Sequence, residues 1–82
     1  MDNRDVKVIH RKLGKEKAVG LAHTDINLIE IDPRQKPKNL LDTYIHEFIH
    51  IRFPDWSETK VKKEAKALTK FLWDLKYRKI DE

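Results

Sequence analysis

Hydrophobic positions change period part-way along the chain, from about two residues to nearly four. Val6 and Val8 alternate with charged residues over 5–13, the pattern of a strand. Gly14-Lys15-Glu16-Lys17 reads as a turn, and Ala18-Val19-Gly20-Leu21-Ala22-His23 as a second short strand, a hairpin partner for the first. Thr24-Asp25 turns the chain again into a third strand over 26–32. Within it Ile26 and Leu28 fall on one face and Ile29 and Ile31 on the other, which requires a bulge or burial of both faces. Pro33 to Asn39, with a second proline at Pro37, reads as a loop.

From Leu40 onward the period is helical. Leu41, Tyr44, Ile45 and Phe48 form one apolar face. Asn39 is a candidate cap and Pro54 forbids continuation, so a helix is expected over about 40–52. Phe53-Pro54-Asp55-Trp56 makes a corner, and Ser57 is a good N-cap for a second helix running to about Lys79. Its apolar stripe is Val61, Ala65, Leu68, Phe71, Leu72 and Leu75, with Trp73 and Tyr77 as flanking packing residues. Three short strands followed by two helices predict an α+β fold, a small three-stranded sheet packed on two C-terminal helices, in a single domain over 1–82.

Composition narrows the chemistry. With 82 residues the chain holds one modest core. It has no cysteine, which excludes disulfides, thiolate zinc ligands and a thiol nucleophile, so any metal site must use histidine and carboxylate. No apolar run approaches membrane-spanning length and Met1-Asp2-Asn3-Arg4 does not open as a signal peptide; a soluble, cytoplasmic protein without membrane partners is expected. Net charge is +4, with the signs interspersed. The densest basic group, Lys60, Lys62, Lys63, Lys66 and Lys70, reads as a solvated helix face; without a nucleic-acid motif beside it, nucleic acid is not expected as a partner.

One motif carries chemistry. His46-Glu47-Phe48-Ile49-His50 is H-E-x-x-H, and on a helix residues four apart lie on one face, so both imidazoles can serve one metal ion. Glu47 stands about 100° round the helix from His46, out of line as a third ligand but placed to take a proton from a metal-bound water. Both histidines project nearly opposite the apolar face.

With an acidic residue downstream, this motif resembles the gluzincin branch of the zincin metallopeptidases. The chain from Gly20 to Arg78 is also similar to short H-E-x-x-H proteins of phages and bacteria. The matching segments are Ile29-Glu30-Ile31-Asp32-Pro33, Asp42-Thr43-Tyr44-Ile45-His46-Glu47, Ser57-Glu58 with Val61, and Leu72-Trp73-Asp74-Leu75. The resemblance implies a minimal zincin-like fold and a zinc ion (Zn2+) held by His46, His50 and a glutamate of the second helix. Glu47 is then the general base for hydrolysis of a peptide or protein substrate. It further implies an edge strand that pairs with extended substrate, expected here at residues 26–31. Two glutamates compete for the third ligand position. Glu58 falls in the first turn of the second helix, near His50; Glu64 lies about 9 Å further along the axis and reaches His46 if the helices fold back. The Ser57-Glu58 match favours Glu58. No oxyanion partner is evident; His23, Tyr44 and Tyr77 are the candidates, each with a packing or surface role beside it.

The expected function is therefore a minimal zinc-dependent metallopeptidase acting through a metal-activated water. The alternative is a non-catalytic zinc-binding interaction module, which needs the same ligands but no base at Glu47.

Overall fold

The structure, a computed structural model, describes residues 5–80; the Met1–Arg4 opening lies outside them. Strands Lys7–His10 (β1), Gly20–His23 (β2) and Leu28–Ile31 (β3) precede helices Pro37–Arg52 (α1) and Glu58–Asp74 (α2), an α+β fold. The sheet is mixed, in the order β1-β3-β2, with β3 parallel to β1 and antiparallel to β2.

The expected hairpin of the first two strands does not form. The chain after β1 is no tight turn: Leu13 is fully buried and its N–H donates to Asp32 Oδ2 at 3.0 Å. A 3-10 turn over Gly14–Glu16 then closes with Lys17 in the left-handed region. Between β2 and β3, by contrast, Thr24–Asn27 make a compact reversal. Ile26 N–H bonds back to the His23 carbonyl and Asn27 takes φ 51°, a conformation that asparagine tolerates well. Ile26 thus belongs to the turn and is exposed, and β3 starts at Leu28. Ile29 and Ile31 point inward from it in simple alternation, so neither a bulge nor burial of both faces is needed.

α1 begins earlier than Asn39 suggests. Pro37 occupies the first turn, where its missing N–H has no helical partner to lose, and Lys36 is the N-cap residue without a side-chain bond. Asn39 lies inside the helix, its carbonyl accepting from Thr43 Oγ1 at 3.0 Å. At α2, Ser57 Oγ accepts the Lys60 N–H at 3.1 Å, the expected cap. This helix ends at Asp74, short of Lys79. Lys76 takes φ 73°, and the Lys76 and Tyr77 amides bond to the Trp73 and Leu72 carbonyls at 2.9 and 3.1 Å. That is a Schellman closure with lysine where glycine is usual.

α1 lies between the sheet and α2. Ile29, Ile31 and Ile51 form one cluster with Leu40 and Tyr44; Ile49, Val61 and Ala65 form the other with Ile45 and Trp56. Each fully buried aliphatic side chain contributes roughly 1.5–3 kcal/mol. The buried stripe of α2 is Val61, Ala65 and Thr69, narrower than the sequence pattern. Leu68, Phe71 and Leu75 of the expected stripe remain exposed, because α2 packs on α1 alone. Among the described residues no helix is long and apolar enough to cross a membrane.

Candidate metal centre

At about 100° per residue, α1 presents four aspects. Leu40, Tyr44 and Ile51 meet the sheet, and Ile45 and Ile49 meet α2. Phe48 and Arg52 face outward on one side. Thr43, His46, Glu47 and His50 face the opposite side, where a cleft of about 320 Å³ opens between β2 and α2.

The corner after α1 brings the third residue in. Phe53 and Trp56 stack with ring centroids 4.4 Å apart, and Ser57 starts α2 directly afterwards. Glu58, in the first turn of α2, is thereby returned to the histidines. His46 Nε2 and His50 Nε2 lie 3.2 Å apart, and the Glu58 carboxylate reaches His50 Nε2 at 2.8 Å and His46 Nε2 at 3.1 Å. A tetrahedral zinc with bonds of about 2.0–2.1 Å holds its donors roughly 3.3 Å apart. The nitrogens' 3.2 Å separation is close to that requirement, and Glu58 completes a triangle of residues by meeting His50 with Oε1 and His46 with Oε2; two imidazoles with one carboxylate are a donor set that zinc accepts. Glu64, the competitor, lies on the other side of α2 against an apolar groove.

Glu47 stands beside this triangle without joining it. Its carboxylate is half-buried, and among the described residues no hydrogen bond to it is present. Burial pushes its pKa up from the ordinary carboxylate value; the charged forms of His46 and His50 pull it back, and Glu58 pushes it up again.

β2 roofs the cleft. The Asp32 N–H donates to the Val19 carbonyl at 2.9 Å, so Val19 and Asp32 are a hydrogen-bonded pair. Gly20 and Ala22 are then the alternate positions, whose N–H and C=O groups point away from β3 to the free edge. This corrects the expectation for residues 26–31: β3 is central, with both ladders occupied, and the edge strand over the helix is β2.

Sequence reasoning missed three contributions. A Cβ on Gly20 would stand 2.7 Å from Thr43 Cγ2 and 2.8 Å from Glu47 Cγ, so only glycine lets β2 lie this close to α1; an isolated glycine inside a strand pattern is the signal for such an approach. Thr43 is buried and its one hydroxyl hydrogen is shared between Gln35 Oε1, at 2.8 Å, and the Asn39 carbonyl, which ties the loop before α1 to the cleft floor. Lys62 and Lys66, read as a solvated face, line the cleft, with Lys66 Nζ 3.6 Å from Asp42 Oδ2. The oxyanion candidates stand elsewhere. His23 bonds Glu30 on the outer sheet face, Tyr44 bonds His10, and Tyr77 is exposed beyond α2.

Comparison with protein-family models, with curated proteins and with solved structures finds no match to this chain.

Proposed function

We propose that the protein is a minimal zinc-dependent peptidase with His46, His50 and Glu58 as metal ligands and Glu47 as general base. The observation that carries this reading is the convergence of three donor residues, His46 among them lining a cleft bordered by an edge strand, with an unbonded carboxylate beside them. Zinc, when bound, would supply Lewis acidity, making a water acidic near neutral pH and polarising a carbonyl. The remaining work falls to the chain. The outward N–H and C=O groups of Gly20 and Ala22 hold an extended peptide as an added strand, which lays its backbone across the cleft. Glu47 accepts the proton of the attacking water at its carboxylate and delivers it to the departing amine. Its raised proton affinity, which burial confers, suits both halves of that transfer. The β2 roof on one side and Lys62 and Lys66 on the other narrow the water around the reacting groups.

The non-catalytic reading gives Glu47 nothing to do. A half-buried carboxylate without a hydrogen-bond donor costs stability, and a closed structural site gains nothing from it. Three purified forms separate the two readings: wild type, Glu47→Gln and His46→Ala, each analysed for zinc content and for cleavage of unstructured protein. The expected outcome is about one zinc per chain in wild type and Glu47→Gln, loss of zinc in His46→Ala, and cleavage by wild type alone. A metal-loaded wild type that cleaves nothing, or an equally active Glu47→Gln, overturns the peptidase reading.

A further inference from the structure

Adding water to a peptide carbonyl places negative charge on the carbonyl oxygen, and a donor held in place beforehand stabilises that charge. None of His23, Tyr44 and Tyr77 lines the metal cleft, so a side-chain donor has to come from the residues that do. Ala18, Val19 and Gly20 bring no side-chain donor. Asp42 and Glu47 are carboxylates, which accept when ionised, and His46 is a proposed ligand. The single hydroxyl hydrogen of Thr43 is already shared between Gln35 Oε1 and the Asn39 carbonyl. Lys66 Nζ stands 3.6 Å from Asp42 Oδ2. Lys62 is left, and among the described residues its ammonium has no ion pair or hydrogen bond.

The helix explains why this lysine is free and where it leans. Lys62 follows Glu58 by four residues, about 6 Å along the axis of α2, the spacing at which a glutamate and a lysine ordinarily pair. Here the Glu58 carboxylate is turned to His50 and His46 instead, at 2.8 and 3.1 Å, and Lys62 loses that partner. Residues four apart share one face, and each Cα–Cβ bond of a helix tilts toward its N-terminus. The Lys62 side chain therefore leans toward the turn that carries Glu58. Gly20 of β2 and Lys62 of α2 line the same cleft. In a strand added to the edge of β2, every second residue turns its carbonyl away from β2, toward the α2 wall.

Resting on the peptidase reading above, we infer that Lys62 is a catalytic residue, its ammonium donating a hydrogen bond to the carbonyl oxygen of the scissile peptide. As the water oxygen bonds to the carbonyl carbon, the π pair moves onto that oxygen and one water proton passes to Glu47. Lys62 holds the charged oxygen and keeps its own protons. When the pair returns, the C–N bond breaks and Glu47 gives its proton to the departing nitrogen, leaving a carboxylic acid and an amine.

Lys62→Met tests this in the full chain, because it keeps an unbranched side chain and removes the charge. Melting temperature and zinc affinity should match wild type, since Lys62 is exposed and outside the ligand set. On a peptide taken from a site that wild type cleaves in unstructured protein, kcat should fall about a hundred- to a thousandfold. KM should hardly change, because the bond is made only in the transition state. A second readout needs no turnover. Calorimetry on zinc-loaded Glu47→Gln, with and without Lys62→Met, compares that peptide with its phosphinic analogue, which imitates the tetrahedral, charged addition state. Lys62→Met should weaken the phosphinic analogue at least about tenfold and leave the parent peptide unchanged. A raised KM at constant kcat overturns the inference, because Lys62 then grips the ground state, as it would an acidic side chain of the substrate. A loss that follows Lys66→Met in place of Lys62→Met overturns it too. Cleavage by wild type with undiminished kcat in Lys62→Met sinks this inference alone; a zinc-loaded wild type that cleaves nothing sinks the peptidase reading and this inference with it.

Discussion

Gly20 and Glu47 touch. A methyl group on Gly20 would stand 2.8 Å from Glu47 Cγ and 2.9 Å from Glu47 Oε2, inside any ordinary contact distance. The same methyl would stand 2.7 Å from Cγ2 of Thr43, which is buried and hydrogen-bonded and has little room to yield. Gly20→Ala should therefore lift β2 from α1 and turn the Glu47 carboxylate. The expected cost is about 1–3 kcal/mol of stability, read from chemical denaturation. Zinc affinity should change little, because the atoms nearest a Gly20 methyl belong to Thr43 and Glu47 and not to a proposed ligand, while hydrolysis should fall sharply. A Gly20→Ala protein as stable and active as wild type would show that the close approach has no consequence.

Glu58 and Glu64 give a second, sharper contrast. Glu58 reaches both imidazoles, at 2.8 and 3.1 Å, while Glu64 borders the apolar groove. Removing an outer partner of a metal ligand commonly costs 10–100-fold in affinity, so losing a ligand itself should cost at least about a hundredfold. Zinc titration of Glu58→Ala and Glu64→Ala should show that loss in the first and near wild-type affinity in the second. The opposite ranking would exclude Glu58 as the third ligand.

How far the sequence reaches depends on the range of the interaction that decides each feature. The helices, their order and the turn from His50 to Glu58 follow from local signals: a 3.6-residue period, a proline stop at Pro54 and the Ser57 cap. Strand order does not. Whether β2 pairs with β1 or β3 depends on Leu13 entering the core and on Asp32 catching its amide, contacts nineteen residues apart. The two faces assigned to residues 26–31 were a problem only while Ile26 counted as strand; placing it in the turn removes it. That Leu68, Phe71 and Leu75 of the α2 stripe stay exposed was invisible for a different reason. Periodicity identifies apolar positions but not which of them find a partner layer. Lys76 ends α2 early through a left-handed conformation that no local residue type announced.

Zinc should also hold the fold together, since its proposed ligands join α1 to α2. Free zinc at a hundred times its dissociation constant adds about 2.7 kcal/mol to a protein that binds it only when folded. In a domain of this size that corresponds to roughly 10–20 °C in melting temperature. Melts of zinc-loaded protein with and without a chelator should differ by about that much, and His50→Ala should be indifferent to the chelator. Coincident wild-type melts would place the metal, if bound at all, somewhere that does not link the helices.

Acid stability should trace to Asp32. Its carboxylate accepts from Arg34 Nη2 at 2.7 Å and Nε at 2.9 Å, and from the Leu13 and Arg34 amides at 3.0 Å each. The Arg34 guanidinium first, then the two amides, hold its pKa well below the ordinary carboxylate range, against the opposing effect of burial. In the unfolded chain the group returns to about 3.9. The unfolded state therefore takes up the proton first as pH falls, and each further step down favours unfolding. The Asp32 contribution is complete above about pH 5 and is lost as pH drops through about 4 toward the folded-state value. Asp32→Asn should be less stable than wild type at neutral pH, because Arg34 and the Leu13 amide lose a charged acceptor. Its stability should also vary less between about pH 5 and pH 2, since one proton-linked group is gone. Denaturation midpoints of both proteins across that interval should converge toward the acid end. Parallel curves would mean that Asp32 carries no proton linkage and that other carboxylates, such as Glu30 beside Arg11, set the acid limit.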